Sequence, residues 1–243
     1  MYIVMGNGES RRAISYELLK DHVTYGCNAI AREWTPSALV CIDNKLMHEI
    51  VASGYSKNNK CYFRNFTLMD AFHFEPLRMG AQRGEVVENE ATGYKFSYYG
   101  QEQQIEFYPE DKTMGMIDKP MHFFTWISEE DKVYDLNEFI GKKPQDSGQN
   151  ATELICTIEK PDKVYLTGFD LSANDGFVNN VYKSTYGYAP EYATAVPAEG
   201  WIRDLNEIFD KYPETEFIHV LDTKVFDSIE TISVKHFINI LEK

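Results

Sequence analysis

The chain has 243 residues, enough for one large domain or for a core domain carrying an insertion. Its 24 Lys and Arg stand against 38 Asp and Glu, a formal charge of −14, which argues against broad charge-driven binding to nucleic acid or to an anionic membrane. There is no secretory h-region and no apolar run of membrane-span length, and the four cysteines carry no CxxC spacing and read as buried free thiols, so a cytoplasmic setting is expected.

The apolar run at 2–5 leads straight into Gly6-Asn7-Gly8-Glu9-Ser10 and a helical-looking stretch over 11–20. A short strand, a Gly/Asn turn and a helix start have the form of a nucleotide-binding βα unit. Glycines let backbone approach a phosphate, and the N–H groups of a helix N-terminus point at it. A strand beginning at residue 2 leaves no room for a leader ahead of it. Further strands are expected at 23–27, 38–42 and 60–64, with a helix at 44–54. Short apolar strands separated by helices predict a parallel sheet.

Residues 66–145 break this rhythm. The runs at 94–99 and 104–108 read as a hairpin, and 114–127 is apolar without a clear period. The alternation returns with a helix from Ser147-Gly148 to about 159, then a strand at 163–167 ending in Gly168-Phe169-Asp170. A long Asn-, Gly- and Tyr-rich loop covers 171–197. A helix to about 212, a strand at 216–221 and a helix at 233–241 complete the chain. The expected fold is one α/β, Rossmann-like domain over 1–243. It has a mostly parallel sheet, helices on both faces, a β-containing insertion at 66–145, and a 171–197 loop long enough to be a lid.

In open α/β sheets, ligands bind outside the carboxyl ends of the strands. Polar clusters fall at those ends: Gly6, Asn7 and Gly8 after the first strand, Asn28 after the second, Asp43-Asn44 after the third, and Gly168, Phe169 and Asp170 after the strand near 165. Ser147 and Gly148 open a helix that could face the same cleft. Taken singly, Gly-Asn-Gly is a plain turn and Asp43 and Asp170 are caps. Their common topological position predicts convergence on one cleft. No His/Cys cluster has zinc spacing, Gly6-x-Gly8 lacks the third glycine of a dinucleotide fingerprint, and no Walker A sequence occurs.

These residues resemble the bacterial sialyltransferases that use CMP-sialic acid. Gly6-Asn7-Gly8-Glu9-Ser10, Tyr25-Gly26-Cys27-Asn28, Ser147-Gly148 and Val164-Tyr165-Leu166-Thr167-Gly168-Phe169-Asp170 stand in the order and approximate spacing of four family motifs. Those are a Gly-Asn-Gly-Pro-Ser loop, an Arg-Cys-Asn strand end, a Thr-Ser-Gly helix start and a Tyr-Leu-Ser-Gly-Ile-Asp strand. Related Rossmann-type glycosyltransferases and hydroxymethylpterin diphosphokinase-like proteins share the frame. The similarity covers 2–65 and 146–221.

The resemblance implies a Rossmann-like fold, a cytidine nucleotide as part of the substrate, and transfer with no cofactor and no obligatory metal. Within the Gly6–Ser10 loop, Asn7 and Gly8 would hold phosphate or ribose, and Asn28 would contact the nucleotide. Ser147 and Gly148 would offer a hydroxyl and an N–H to the donor. Gly168, Phe169 and Asp170 would shape the ribose and base pocket. The family's loop proline is Glu9 here, and its third-strand asparagine is Asp43 or Asn44. Of the family's two loop tyrosines that grip the leaving phosphate, the first falls at Ser172 and the second at Tyr182, Tyr186 or Tyr188. No histidine occurs between His122 and His219, where the family carries its general base. Glu191, Glu199, His73 and His122 are the candidates for that role.

The expected function is transfer of a sugar from a nucleotide-sugar, a CMP-sugar first, to a hydroxyl of a glycan or small-molecule acceptor. The alternatives are a diphosphokinase-like nucleotide transferase and a non-catalytic nucleotide- or glycan-binding module. Homo-oligomerisation stays open.

Overall fold

Twelve strands fall into two sheets in the computed structural model, which describes residues 1–64, 86–89, 94–99, 104–109, 121–123, 130–142, 145–172 and 176–243. The larger sheet holds β1 (Tyr2–Met5), β2 (Val23–Cys27), β3 (Ala38–Cys41), β4 (Cys61–Phe63), β9 (Val133–Asp135), β10 (Lys163–Thr167), β11 (Glu216–Val220) and β12 (Glu230–Ile232). All eight are parallel, in the order β12-β11-β10-β1-β2-β3-β4-β9. The second sheet is antiparallel, with β5 (Val86–Asn89), β6 (Tyr94–Tyr99), β7 (Gln104–Pro109) and β8 (Met121–Phe123) in sequence order.

The helices are α1 (Asn44–Ala52), α2 (Tyr55–Asn58), α3 (Asn137–Ile140), α4 (Ser147–Glu159), α5 (Glu199–Lys211) and α6 (Val234–Leu241). They cover both faces of the parallel sheet. Ile3 and Met5 of β1 face a core with α1 and α6, while the intervening Val4 faces a core with α3, α4 and α5. This is the α/β Rossmann-like architecture. Strands covered on both sides read as continuous apolar runs, because neither set of alternating side chains meets water.

The strand order reverses between β1 and β10: the chain runs outward from β1 through β4 to one edge, and from β10 through β12 to the other. At such a switch point the two neighbouring loops leave in opposite directions and open a crevice. The loops here are those after Met5 and after Thr167, which are paired residues in the register.

Three elements differ from expectation. The stretch 11–20 is two short 3-10 turns, Glu9–Ala13 and Tyr16–Leu19, separated by extended backbone at Ile14 and Ser15. Arg11, Ile14 and Leu19 are all buried around this break. The main sheet resumes at β9, so the last part of the 66–145 segment belongs to the core domain; β9 and β12 are three-residue edge strands with little apolar signal. The hairpin at 94–109 is present as β6 and β7, paired from Tyr94↔Pro109 to Tyr99↔Gln104. Most of 114–127 lies outside the described residues.

All four cysteines are free and buried. Burial pushes the thiols of Cys27, Cys61 and Cys156 up to about 12, so they stay protonated and inert. No helix among the described residues is long and apolar enough to cross a membrane.

Candidate functional site

A cavity of about 400 Å³ opens at the β1/β10 switch point. Gly6, Asn7, Gly8, Asn28, Asp43, Ser147, Gly148, Gly168, Phe169 and Asp170 all line it, although they come from five separate stretches of chain. Ser10 lies just behind the wall and is bound to Asp170.

The floor is two loops stitched to each other. Gly6 N–H donates to Thr167 O at 2.8 Å and Gly8 N–H to Gly168 O at 2.8 Å. Glu9 N–H donates to Asn179 Oδ1 at 2.9 Å, and Ser10 N–H to Asp170 Oδ2 at 3.0 Å, with the Ser10 hydroxyl donating to the other carboxylate oxygen. A Cβ on Gly6 would sit 2.4 Å from Gly168 O, and one on Gly8 would sit 2.3 Å from Asp170 Oδ1. Gly168 itself has φ +66°, a left-handed conformation. These glycines therefore serve loop-against-loop packing. The N–H groups of Gly6, Gly8, Glu9 and Ser10 are spent inside the protein, so within this turn only the Asn7 N–H has no acceptor among the described residues. Glu9, in the family's proline position, turns its carboxylate to Lys183 Nζ at 2.7 Å.

The opposite wall is the start of α4. The first N–H of this helix bonded within it is that of Asn150, to Asp146 O at 3.0 Å, which leaves those of Ser147, Gly148 and Gln149 without an intrahelical acceptor. Asp146 stands at the N-cap but its side chain does not cap the helix; its carboxylate accepts from the Trp201 indole N–H instead. Ser147 Oγ donates to Asn28 Oδ1 at 2.7 Å. Asn28 is held at φ +53° at the end of β2, a left-handed position that asparagine tolerates. Uncapped N–H groups and the helix dipole together favour an anion here.

The remaining residues sort as follows. Asp43 caps α1, accepting from Lys45 N–H at 2.9 Å and Leu46 N–H at 3.2 Å. Asn7 Nδ2 donates to Tyr188 Oη at 3.2 Å and to Cys27 O at 3.4 Å, and its Oδ1 is buried with no partner. Phe169 packs under Gly148, and its carbonyl accepts from His219 Nε2 at 2.8 Å. His219 is fully buried, which pushes its pKa below the ordinary value and keeps the ring neutral. Asp43, Asp146 and Asp170 line the cavity, whereas no Lys or Arg does among the described residues.

The five candidate catalytic residues fall elsewhere. Tyr182 is buried beside Arg11 and Glu33; it accepts from Arg11 Nη2 at 2.7 Å and donates to the Glu33 carboxylate. Tyr188 reaches the cleft indirectly, through Asn7, and its oxygen also accepts from Ala29 N–H at 3.3 Å. Burial raises the pKa of both phenols, so each remains protonated and keeps an O–H that can donate. Tyr186 is exposed, and Glu191 and Glu199 are exposed and do not line the cavity. His73 lies outside the described residues, and His122 is on β8, described by its backbone alone.

The 181–188 segment is not a loose lid. Arg32 grips Glu49 through two bonds of 2.6 Å and reaches across to Thr185 Oγ1 and Tyr186 O, both at 2.8 Å. Val181 N–H donates to Asn7 O at 2.8 Å. At Glu33, burial acts to raise the pKa, but the phenols of Tyr182 and Tyr16 and the Arg11 guanidinium outweigh it and hold the carboxyl below its usual value.

Sequence reasoning missed Asp146, Gln149, Asn179, Asn180 and Trp201, all of which line the cavity. Asp146 carried a signal, since an Asp just before a helix start is an N-cap type. Asn179 and Asn180 lay in a loop with no pattern to place them. The described residues hold no group of three or more His, Cys, Asp or Glu able to bind a metal ion. Compared with known proteins, the sequence fits no family model, and no curated protein or solved structure matches it.

Proposed function

We propose that the protein binds a nucleotide-activated sugar, a CMP-sugar first, in the switch-point cleft and transfers the sugar to an acceptor hydroxyl. The supporting observation is the meeting of the β1, β2 and β10 ends with the uncapped start of α4 around one cavity. The donor phosphate belongs at Ser147, Gly148 and Gln149, where N–H groups and the dipole favour negative charge. As the bond between the anomeric carbon and the phosphate oxygen breaks, the same groups receive the growing charge on the leaving phosphate. The acceptor oxygen forms the new bond to the anomeric carbon, and its proton passes to a carboxylate.

Asp146 is the group for that proton. Asp43 and Asp170 are occupied by backbone N–H donors, while Asp146 is exposed at the cleft mouth, where the Trp201 indole N–H engages one carboxylate oxygen and its own helix engages neither. The second reading, a binding module without turnover, is favoured by the exposure of Glu191 and Glu199 outside the cavity.

Thermal shift against CMP, CDP, UDP, GDP and ATP, each with and without Mg²⁺, tests the binding step. A ligand at about a hundred times its dissociation constant stabilises by roughly 2.7 kcal/mol. CMP without metal is expected to give the largest shift. Stabilisation by ATP with Mg²⁺ alone would replace this reading with the diphosphokinase one, and no shift from any nucleotide would end it. Hydrolysis of a CMP-sugar by wild type, lost in Asp146→Asn while CMP binding persists, separates transferase from binding module.

A further inference from the structure

We propose that Gln149 reads an amide edge on the ligand, a hydrogen-bond donor and acceptor on neighbouring atoms of one flat group. This rests on the nucleotide-sugar reading of the cleft, whose cytosine base offers that donor–acceptor edge through its exocyclic amino group and ring N3; a trans acetamido group does not, because its N–H and C=O point in opposite directions.

The observation behind it is a hydrogen-bonding surplus in the first turn of α4. Ser147 spends its hydroxyl on Asn28, and Asn150 donates to the carbonyls of Gln145 and Asp146 at 2.7 and 3.0 Å. Gln149 lies between them, is 3 % exposed and lines the cavity, yet its carboxamide has no hydrogen-bond partner among the described residues. Its polar atoms are not sealed off, since they are absent from the buried polar atoms that lack a partner. A carboxamide in this setting loses much of its hydration and gains nothing from the protein in return. The balance is restored when a ligand supplies both an acceptor for the NH₂ and a donor for the carbonyl, as an amide edge does in a two-bond pair.

The surroundings favour a neutral flat group over a charged one. Gln149 carries no charge, and the carboxylates of Asp43, Asp146 and Asp170 in the same wall repel a second anion away from the helix start. Phe169, 5 % exposed, lies against Gly148 one residue away and provides an apolar plate. A planar ring can rest on that plate while its edge meets Gln149.

The test compares wild type with Gln149→Met, which keeps length and removes both polar atoms. Calorimetry uses four probes in two pairs: CMP against ribose 5-phosphate, and N-acetylmannosamine against mannose. If the edge is the base, Gln149→Met weakens CMP about ten- to a hundredfold and leaves ribose 5-phosphate unchanged. A loss that falls on N-acetylmannosamine and spares both mannose and CMP would mark a single hydrogen bond to an acetamido group and overturns the proposal. The unliganded Met variant melts at or above the wild-type temperature, because an unpaired polar group has gone. Equal affinity of both proteins for CMP and N-acetylmannosamine overturns the proposal. So does a lower melting temperature joined to weaker binding of all four probes, which marks Gln149 as structural. Wild type that binds neither CMP nor ribose 5-phosphate removes the nucleotide reading and this proposal with it.

Discussion

The two walls of the cleft share a lining of glycine and small polar residues but differ in how their hydrogen bonds are used. On the β1/β10 side, the N–H groups of Gly6, Gly8, Glu9 and Ser10 are paired, with Asn7 the exception, and two glycines are pressed against the opposing loop. On the α4 side, three N–H groups and the Gln149 carboxamide have no partner of their own. A wall whose donors are satisfied holds shape, and a wall whose donors are not is where a ligand gains free energy. On the function proposed above, the glycine motif that looks most like a phosphate loop is mainly scaffold, and the plainer helix start is the face offered to the ligand.

The strongest way to break that comparison is Gly6→Ala. Its Cβ would lie 2.4 Å from a backbone carbonyl that the paired strands hold in place. A cost of about 3 kcal/mol in urea unfolding is expected; a cost under about 1 kcal/mol would mean the stitched loops have room to spare.

Next in size is Glu33→Ala, expected to cost about 2 kcal/mol. It strips the carboxylate 2.7 Å from Arg11, which is 2 % exposed, and Glu33's own partial exposure keeps the figure below that of a fully buried pair. Amide hydrogen exchange should quicken across 181–188 in this variant, because Tyr182 loses the same partner. Unchanged exchange there would show that the segment is anchored without Glu33, through Arg32, Arg11 and the Val181–Asn7 bond.

A smaller effect comes from pH, through the scaffold wall. The pKa of His219 is lowered in the folded chain by burial, so the unfolded chain binds the proton first as pH falls through 6.5. Stability is full above that pH and declines as acid is added down to the folded pKa. His22, also lowered by burial, adds in the same direction. Thermal melts from pH 7.5 to 5.5 should show the decline reduced in His219→Gln; an identical profile would exclude His219 as its source.

The smallest effect is expected at Gly148→Ala, the counterpart of Gly6 on the open wall. Its Cβ would meet only the edge of the Phe169 ring, at 3.0 Å, and Ala is the better helix former. A net change within about 1 kcal/mol is expected from the same urea titration. A loss matching that of Gly6→Ala would erase the distinction between the walls.

Much of the frame was legible. β1, β2, β3, β10 and β11 announce themselves as short apolar runs because both of their faces are buried, and α4, α5 and α6 begin and end within a residue or two of expectation. The edge strands β9 and β12 were not legible, since three residues paired on one side carry little pattern. The 3-10 turns at 9–19 were misread as a helix because burial of Arg11 depends on Glu33 and Tyr182, which are distant in sequence.

The sequence by itself determined that a parallel α/β sheet would form and that Gly6, Asn7, Gly8, Asn28, Asp43, Ser147 and Gly168 would stand at strand ends or a helix start. That information is local: side-chain periodicity and turn chemistry need only neighbouring residues. Which of those positions face a ligand with unspent hydrogen bonds was decided by the tertiary structure alone. Several of the deciding partners lie more than 100 residues away, as in Ser10 with Asp170 or Ser147 with Asn28, so that pairing exists only once the loops have met.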